Sequence, residues 1–464
     1  MPLIIPANTL SGGYEVANSC RFNSADSAYM HKTHGEDHGS SVYKWTYSFW
    51  VKRSKISSGD HAITAVTYSG AYQSRISFKS DDKLEIYDYR NNSYILQKKT
   101  NRKFRDTSAW YHIVVSNDNT QASADDRTKI YINGVQETSF GTNNQYSQNQ
   151  KTSFNDDYPN YIGSYGSGDY FDGSMSHFHF IDGTAYAPTE FGETDSTTGE
   201  WKIKTNVSVT YGTNGFFILK DGNSVTDQSG NSNNFTVGGG TLTKTEDNPS
   251  NVFATINALD NYRFNGTFSN GNNTVASNAS VESYWTSSLG ASSGKYYWEV
   301  KVSASGSDKE FIGIADKVAE ATDFSPYSGN NKMRSYYGST GVSVIGSTGT
   351  AFGATFGAGD IIGVAMDLDN HKIYYSKNGV FQGSGNPSTG ANGLDIDTSP
   401  ASGFYYAQGA NIHNTASTFQ TNFGNGYFGT TAVSSAGTNA SNNGIFEYDV
   451  PSGYTALSTK GLNT

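Results

Sequence analysis

Hydrophobic and polar residues alternate along much of this chain with a period of two, the spacing of a strand with one buried face. Tyr47-Ser48-Phe49-Trp50-Val51-Lys52 and Lys83-Leu84-Glu85-Ile86-Tyr87-Asp88 alternate in this way, and Trp110-Tyr111-His112-Ile113-Val114-Val115-Ser116 reads as a buried strand. Lys129-Ile130-Tyr131-Ile132 runs into Asn133-Gly134 and Val135. Asn-Gly between apolar runs predicts a type I′ hairpin, because both central residues need positive φ. A second series starts at Lys295-Tyr296-Tyr297-Trp298-Glu299-Val300 and continues through Phe311-Ile312-Gly313-Ile314-Ala315 and Tyr336-Tyr337. It ends in Asp360-Ile361-Ile362-Gly363-Val364-Ala365-Met366-Asp367 and Lys372-Ile373-Tyr374-Tyr375, followed by another Asn-Gly pair at Asn378-Gly379. Between the two series, residues 206–262 are rich in turns, with apolar runs at Phe216-Phe217-Ile218-Leu219 and Phe235-Thr236-Val237 that need covering. The pattern predicts two antiparallel domains, residues 1–205 and 263–464, joined by a connector with a small hairpin. Trp50, Trp110 and Trp298 are expected to be buried.

The first series resembles laminin-G-like domains over roughly residues 15–195. The aromatic entry strand, the Trp110-Tyr111-His112 strand and the Lys129-Ile130-Tyr131-Ile132-Asn133-Gly134 hairpin carry the likeness. So does the closing run Phe171-Asp172-Gly173-Ser174-Met175 before Phe178-His179-Phe180-Ile181. The stretch from Phe22 to Tyr29 is similar to the opening motif of that family but departs at Ser24 and Ser27, which weakens a calcium role for Asp26. The second series resembles the SPRY family over about residues 290–425, through Tyr296-Tyr297-Trp298-Glu299-Val300, Gly313-Ile314-Ala315, the run from Gly359 to Asn370 and Ser376-Lys377-Asn378-Gly379-Val380. Both resemblances imply an all-β protein of two concanavalin-A-like, jelly-roll-type antiparallel β-sandwiches.

Composition agrees with this reading. Hydrophobic residues are only 35% of the 464, but 32 Tyr and 26 Phe supply large side chains that bury area while keeping a polar handle. With 51 Gly and 9 Pro, many short strands with tight turns fit better than disorder. The net charge of −10 favours neither a phosphate backbone nor an anionic membrane surface, so no nucleic-acid partner is expected. A single cysteine, Cys20, excludes an internal disulfide framework. The N-terminus lacks the basic and apolar stretches of a signal peptide, and no apolar run nears the roughly 18 residues of a membrane span. Membrane insertion is not expected, and the chain reads as one made in a cytoplasm.

Chemistry-bearing residues are scattered. Sandwich glycosidases place paired carboxylates on one strand face. Here Glu85 and Asp88 fall on opposite faces, and Asp367 and Asp369 sit at a turn where Asp caps backbone. Gly166-Ser167-Gly168 and Gly383-Ser384-Gly385 lie in loops rather than at a strand-to-helix elbow. No phosphate-cradling loop occurs. His31, His34 and His38 with Glu36 and Asp37 read as a polar loop, and His177 and His179 as a half-exposed strand face able to chelate a metal. Calcium has oxygen ligands available at the turns of residues 221–234 and at Asp156 and Asp157, although Asx turns account for the same residues. No cofactor is expected.

The richest surface is aromatic and amide-bearing. Sugars stack ring faces on Tyr or Trp and hydrogen-bond through Asn, Asp and Gln. Tyr68, Tyr72, Tyr165 and Tyr170 fit that description in the first domain, and Tyr327, Arg334, Asn411 and His413 in the second. Beyond the domains, the chain resembles virion proteins of marine tailed bacteriophages. The resemblance lies in Ile4-Ile5-Pro6-Ala7-Asn8-Thr9-Leu10, in the run from Phe180 to Glu193 and in Ser229-Gly230-Asn231-Ser232-Asn233-Asn234-Phe235. Asn248-Pro249-Ser250-Asn251 and Pro451-Ser452-Gly453-Tyr454 extend it. It implies a non-enzymatic appendage exposed on the virion, a tail fibre, spike or knob, that binds host-surface glycan or protein through sandwich loops. It would associate with other virion proteins and as a homo-oligomer. The apolar stretch of residues 1–10 suggests that it and the first domain face the particle, or else that Leu3, Ile4 and Ile5 form an edge strand of their own domain. A head-decoration or neck protein is the alternative, and a polysaccharide depolymerase the third.

Overall fold

The structure, a computed structural model, describes residues 15–35, 42–166, 168–204, 206–260, 266–277, 282–306, 309–316, 333–412 and 415–463. They form two compact units, one within Asn8–Ser250 and one within Asn251–Thr464. No α-helix occurs among the described residues, and the only helical turns are short 3-10 segments.

The first unit holds β1 (Ser19–Phe22), β2 (Tyr29–Thr33), β3 (Lys44–Arg53), β4 (His61–Ser69), β5 (Tyr72–Phe78) and β6 (Lys83–Arg90). Next come β7 (Ser93–Lys103), β8 (Trp110–Asp118), β9 (Thr128–Ile132), β10 (Val135–Gln136), β11 (Phe140–Asn144) and β12 (Pro159–Ile162). The last are β13 (Gly173–Asp182), β14 (Gly192–Thr194), β15 (Trp201–Ile203), β16 (Phe216–Ile218), β17 (Thr236–Gly239) and β18 (Thr243–Thr245). One sheet runs β10-β9-β8-β3-β13-β1-β18 with β16 also on β13, and the other runs β11-β7-β6-β5-β4-β12-β2-β17. The alternation dictates the packing. Trp45, Tyr47, Phe49 and Val51 of β3 meet Ile63, Ile76, Ile86 and Leu96 of the second sheet in one core. Each such side chain contributes roughly 1.5–3 kcal/mol by leaving water. Asn133 (φ 49°) and Gly134 (φ 78°) form the left-handed pair of a type I′ hairpin between β9 and β10.

The first sheet is buried on both faces. Val114 and Ile181 point away from the core and are covered by Phe191, with Tyr131, Tyr186, Val207, Val209 and Tyr211 packed against them. Residues 184–211 thus plate the outer face. Within the plating, His112 stacks between Trp50 (4.9 Å, 17°) and Trp201 (5.9 Å, 19°). The indole fits because Gly134 and Gly192 leave room: a Cβ at either would sit 2.5 Å from the ring.

Residues 206–250, expected as a connector, are instead part of this unit. β16 pairs with β13, β17 with β2 and β18 with β1, each satisfying the backbone groups of a strand more than 30 residues away in sequence. A buried ion pair between Lys52 and Asp247 (2.8 Å) fastens the end of this stretch. A second, Arg53 with Asp82 (3.2 Å), ties β3 to the turn before β6, where Asp82 also accepts from Ser57 N (2.7 Å) and Arg105 Nε (2.8 Å).

The second unit begins at residue 251, earlier than the expected 263, because Phe253, Ala254 and Ile256 enter its core. Its strands start with β19 (Thr267–Ser269), β20 (Thr274–Ala276), β21 (Ser283–Ala291), β22 (Lys295–Ala304), β23 (Glu310–Ala315) and β24 (Arg334–Tyr337). They continue with β25 (Val342–Ile345), β26 (Thr348–Ala351), β27 (Ile361–Asp367), β28 (Lys372–Lys377), β29 (Val380–Phe381) and β30 (Leu394–Asp395). β31 (Tyr405–Asn411), β32 (Thr418–Asn422), β33 (Tyr427–Phe428), β34 (Thr431–Ala432) and β35 (Thr455–Ala456) complete it. One sheet follows β19-β20-β32-β22-β27-β28-β29 and faces β21-β31-β23-β24-β25-β26. Trp298 is fully buried, Trp50 and Trp110 are 5% and 7% exposed, and Asn378 and Gly379 repeat the left-handed pair (φ 48° and 82°).

The segment after β34 returns across β22. Phe446 packs edge-on against Tyr297 at 5.1 Å, and the buried Glu299 carboxylate accepts from the amides of Glu447 and Tyr448, both at 2.9 Å. Asn422 Nδ2 (3.1 Å) and Tyr297 Oη (3.2 Å) also donate to it. One carboxylate on β22 therefore fastens the C-terminal segment.

Candidate functional site

Among the described residues, the second sheet of the first unit is not plated in the way its partner is. Its registers place Thr236, His31, Tyr161, Ala65, Arg75, Tyr87, Gln97 and Asn144 in one row across eight strands. The neighbouring positions Met30, Ile162, Ile76 and Ile86 belong to the core. The row therefore lies on the side away from the core, since successive side chains alternate. Arg75 is the one long cation near its middle. Its guanidinium lies 4.9 Å from the Tyr165 ring and 5.2 Å from that of Tyr87, and it bonds to Asp169 and Asp60. Gln73 Oε1 accepts from the hydroxyls of Tyr87 (3.1 Å) and Tyr165, so the Tyr165 ring is held at both ends.

Beside this tent a groove of about 470 Å³ opens, lined by Tyr29, Thr67, Tyr68, Ser69, Gly70, Pro159, Tyr161, Tyr165 and Gly166. Its volume falls in the ordinary range of small-ligand sites. Tyr68 is 68% exposed and stacks on Tyr158 (4.9 Å, 23°). Tyr29 lies 6.1 Å from Tyr161 and 6.1 Å from Tyr170, and His31 lies 6.0 Å from Tyr161. The surface offers ring faces and hydroxyls with few free charges.

Of the residues the sequence pointed to, Tyr68 and Tyr165 line this groove and Tyr170 borders it through Tyr29. Tyr72 lies beyond Tyr158 at 6.5 Å and bonds to Asn91. Tyr29, Pro159 and Tyr161 were not picked out. The alternation of Tyr29 with Met30 and of Tyr161 with Ile162 was the available signal, in strands too short to show a period. In the second unit Arg334 is half-buried, and its carbonyl accepts from Tyr375 Oη at 2.7 Å. Asn411 is a correction: it ends β31 fully buried, donating to Ser277 Oγ (3.2 Å) and Thr415 O, and presents nothing to a ligand. Tyr327 and His413 lie outside the described residues.

The histidines also differ from expectation. His34 is buried and stacked on Phe180 (5.3 Å, 13°), while His38, Glu36 and Asp37 lie outside the described residues. His177 and His179 are buried rather than half-exposed, because residues 184–217 cover that face. A bulge between Ser176 and His179 turns His177 into the left-handed region (φ 47°), and His179 stacks on Phe217 at 4.0 Å. Burial pushes His34, His112 and His177 down to about 3. Ser48 Oγ and His112 Nε2 lie 2.9 Å apart, the distance of a nucleophile and its base. The third group reverses the logic. Trp201 Nε1 can only donate, and it lies 2.9 Å from His112 Nδ1, so the ring proton sits on Nε2 and points at Ser48. Such a histidine cannot take the serine proton.

The carboxylates are committed to structure. Asp88 accepts from Ser153 N (2.7 Å) and Tyr146 Oη (2.9 Å), and Glu85 pairs with Lys79 (3.2 Å). Asp367 pairs with Lys295 (2.9 Å), and Asp369 accepts from Gly294 N (2.7 Å). Asp227 accepts from the amides of Phe217, Ser229 and Asn233 at 2.8–2.9 Å, an Asx-type turn, and Asp156 pairs with Arg90. Among the described residues no three His, Cys, Asp or Glu side chains are grouped for a metal ion.

Residues 26–190 match the concanavalin A-like lectin/glucanases superfamily, and residues 295–393 match the SPRY domain, so domains of both kinds are present. Solved structures similar to the chain include a human SPRY domain (18% identity, covering 32% of this chain and 91% of that one, TM-score 0.25). Others are a heptameric SAP-like pentraxin from Limulus polyphemus (15%, 38% and 80%, TM-score 0.28) and a putative carbohydrate binding protein from Bacteroides ovatus (16%, 51% and 65%, TM-score 0.30).

Proposed function

We propose that this is a non-enzymatic recognition protein whose first sandwich binds glycan in the tyrosine-lined groove on its open sheet. The supporting observation is the contrast between the two outer faces. One is sealed by residues 184–211, while the other leaves Tyr29, Tyr68, Tyr161 and Tyr165 around a groove of about 470 Å³. Planar rings beside hydroxyls suit a sugar, whose ring face is apolar and whose rim is polar. The match of residues 26–190 to a superfamily of lectins and glucanases is in keeping with this reading. The tautomer of His112 and the paired carboxylates support recognition over hydrolysis.

The finer reading places the protein on the virion of a tailed bacteriophage as a homo-oligomeric appendage that meets the host surface. It rests on the sequence segments that resemble such virion proteins, including residues 180–193 and 229–235. Two assays test the pair of readings. The recombinant chain is screened on a glycan array, and it is tested for blocking phage adsorption to host cells. Binding and blocking together support the appendage. Particle incorporation with neither binding nor blocking supports the head-decoration or neck role, and shortened polysaccharide chains would revive the depolymerase.

A further inference from the structure

We propose that the open-face groove takes an uncharged glycan and holds it without a divalent cation. This rests on the glycan reading above and adds the ligand's charge class and mode of capture. None of the described residues that line the groove is Asp, Glu, Lys, Arg or His. The charges beside Tyr165 are spent on one another. Arg75 bonds to Asp169 and approaches Asp60 at 3.5 Å, and Lys79 bonds to Asp60 and pairs with Glu85 at 3.2 Å. A uronate or sulfate entering here would shed water and find no unpaired cation, which is costly in a partly dry site. A calcium ion needs six to eight oxygen ligands, commonly carboxylates, and the groove wall offers none of those.

What the groove does offer is geometry for a neutral ring. Tyr161 and Pro159 line it from β12, together with Tyr165 and Tyr68. Tyr165 is fixed in place rather than merely present, by Gln73 at its hydroxyl and by Arg75 beneath its ring. Arg75 is thus a positioning residue: it sets the groove wall and does not meet the ligand. Gly166 (φ +69°) takes a left-handed conformation that L side chains rarely adopt, which suits glycine at this bend of the groove wall.

The intact chain is titrated calorimetrically with neutral polysaccharides (mannan, galactan, dextran) and with acidic ones (alginate, heparin), each with calcium and with EDTA, at low and high salt. At least one neutral glycan is expected to bind, with affinity unchanged by EDTA or salt. Tyr161→Ala should lower that affinity about tenfold, and Tyr161→Phe should retain most of it. Tyr68→Ala, at a position 68% exposed, tests the same groove without a folding cost and should also weaken binding. Arg75→Met should weaken binding to neutral glycan without creating binding to alginate or heparin. Binding of acidic glycan alone, or binding abolished by EDTA, would overturn the proposal and leave the glycan reading standing. Binding to none of the probes would overturn both.

Discussion

Glu299 offers a perturbation whose sign and size follow from its surroundings. Burial drives its carboxyl up to about 7, against the pull of the Glu447 and Tyr448 amides, Asn422 and Tyr297, all of which favour the ionised form. In the unfolded chain the same group ionises near 4.5. Between those values the folded state holds a proton that the unfolded state has released, so folding is favoured by acid there and the advantage is lost as pH rises through 7. At about 1.4 kcal/mol per pH unit the full effect is about 3 kcal/mol, of which about 2 lies between pH 5.5 and 8. Glu299→Gln removes the titration at nearly constant volume. The assay is urea unfolding of the intact chain and of the variant at several pH values, with hydrogen exchange of residues 361–377 reporting the second unit. The expected result is a wild type that loses about 2 kcal/mol relative to the variant from pH 5.5 to 8. Other titrating groups cancel in that difference. A flat difference would refute the reasoning, and so would a wild type that gains with pH, the behaviour of a carboxylate dominated by its four donors.

Further outcomes follow from the same reading. Asp82→Ala strands the buried Arg53 and removes the acceptor of Ser57 N, and should destabilise the first unit by about 3–5 kcal/mol in chemical denaturation. Trp201→Ala removes the lid over His112 and should cost about 3 kcal/mol by the same measurement, with faster amide exchange in β8. Gly134→Ala and Gly379→Ala each force a Cβ into a left-handed turn and into Trp201 or Tyr448 at 2.5 and 2.6 Å. Each should lower stability by more than about 1 kcal/mol, seen as a reduced urea midpoint.

What could be read from the chain in advance was whatever repeats locally. Trp45 to Val51 alternate because every second residue enters the core, and Asn133-Gly134 and Asn378-Gly379 announce turns that only left-handed residues make easily. Covering layers leave no such trace. β16, β17 and β18 are three or four residues long and pair with strands far away in sequence, so residues 206–250 looked like a connector. His177 and His179 occupy a strand whose outer face would be half-exposed in a two-layer sandwich, and only the third layer buries them. Half of the groove was similarly hidden. Tyr68 stands near the exposed end of β4 and Tyr165 in the bend after β12, where aromatics attract notice, whereas Tyr161 sits in a four-residue strand.

The unequal treatment of the two sheet faces has an evolutionary consequence. In the sheet β11-β7-β6-β5-β4-β12-β2-β17, inward positions such as Ile76 and Ile86 answer to stability, while an outward, exposed one such as Tyr68 has little structural duty. Exposed substitutions of that kind usually change stability by no more than about 0.5 kcal/mol. Descendants of this chain can therefore exchange their rim tyrosines at small thermodynamic risk, and on the proposed glycan reading such exchanges would move the groove from one sugar to another. Arg75 is the exception. Bonded to Asp169 and packed beneath Tyr165, it sits at the frontier between the two regimes, and sequences that shift their preference should change around it before they change it.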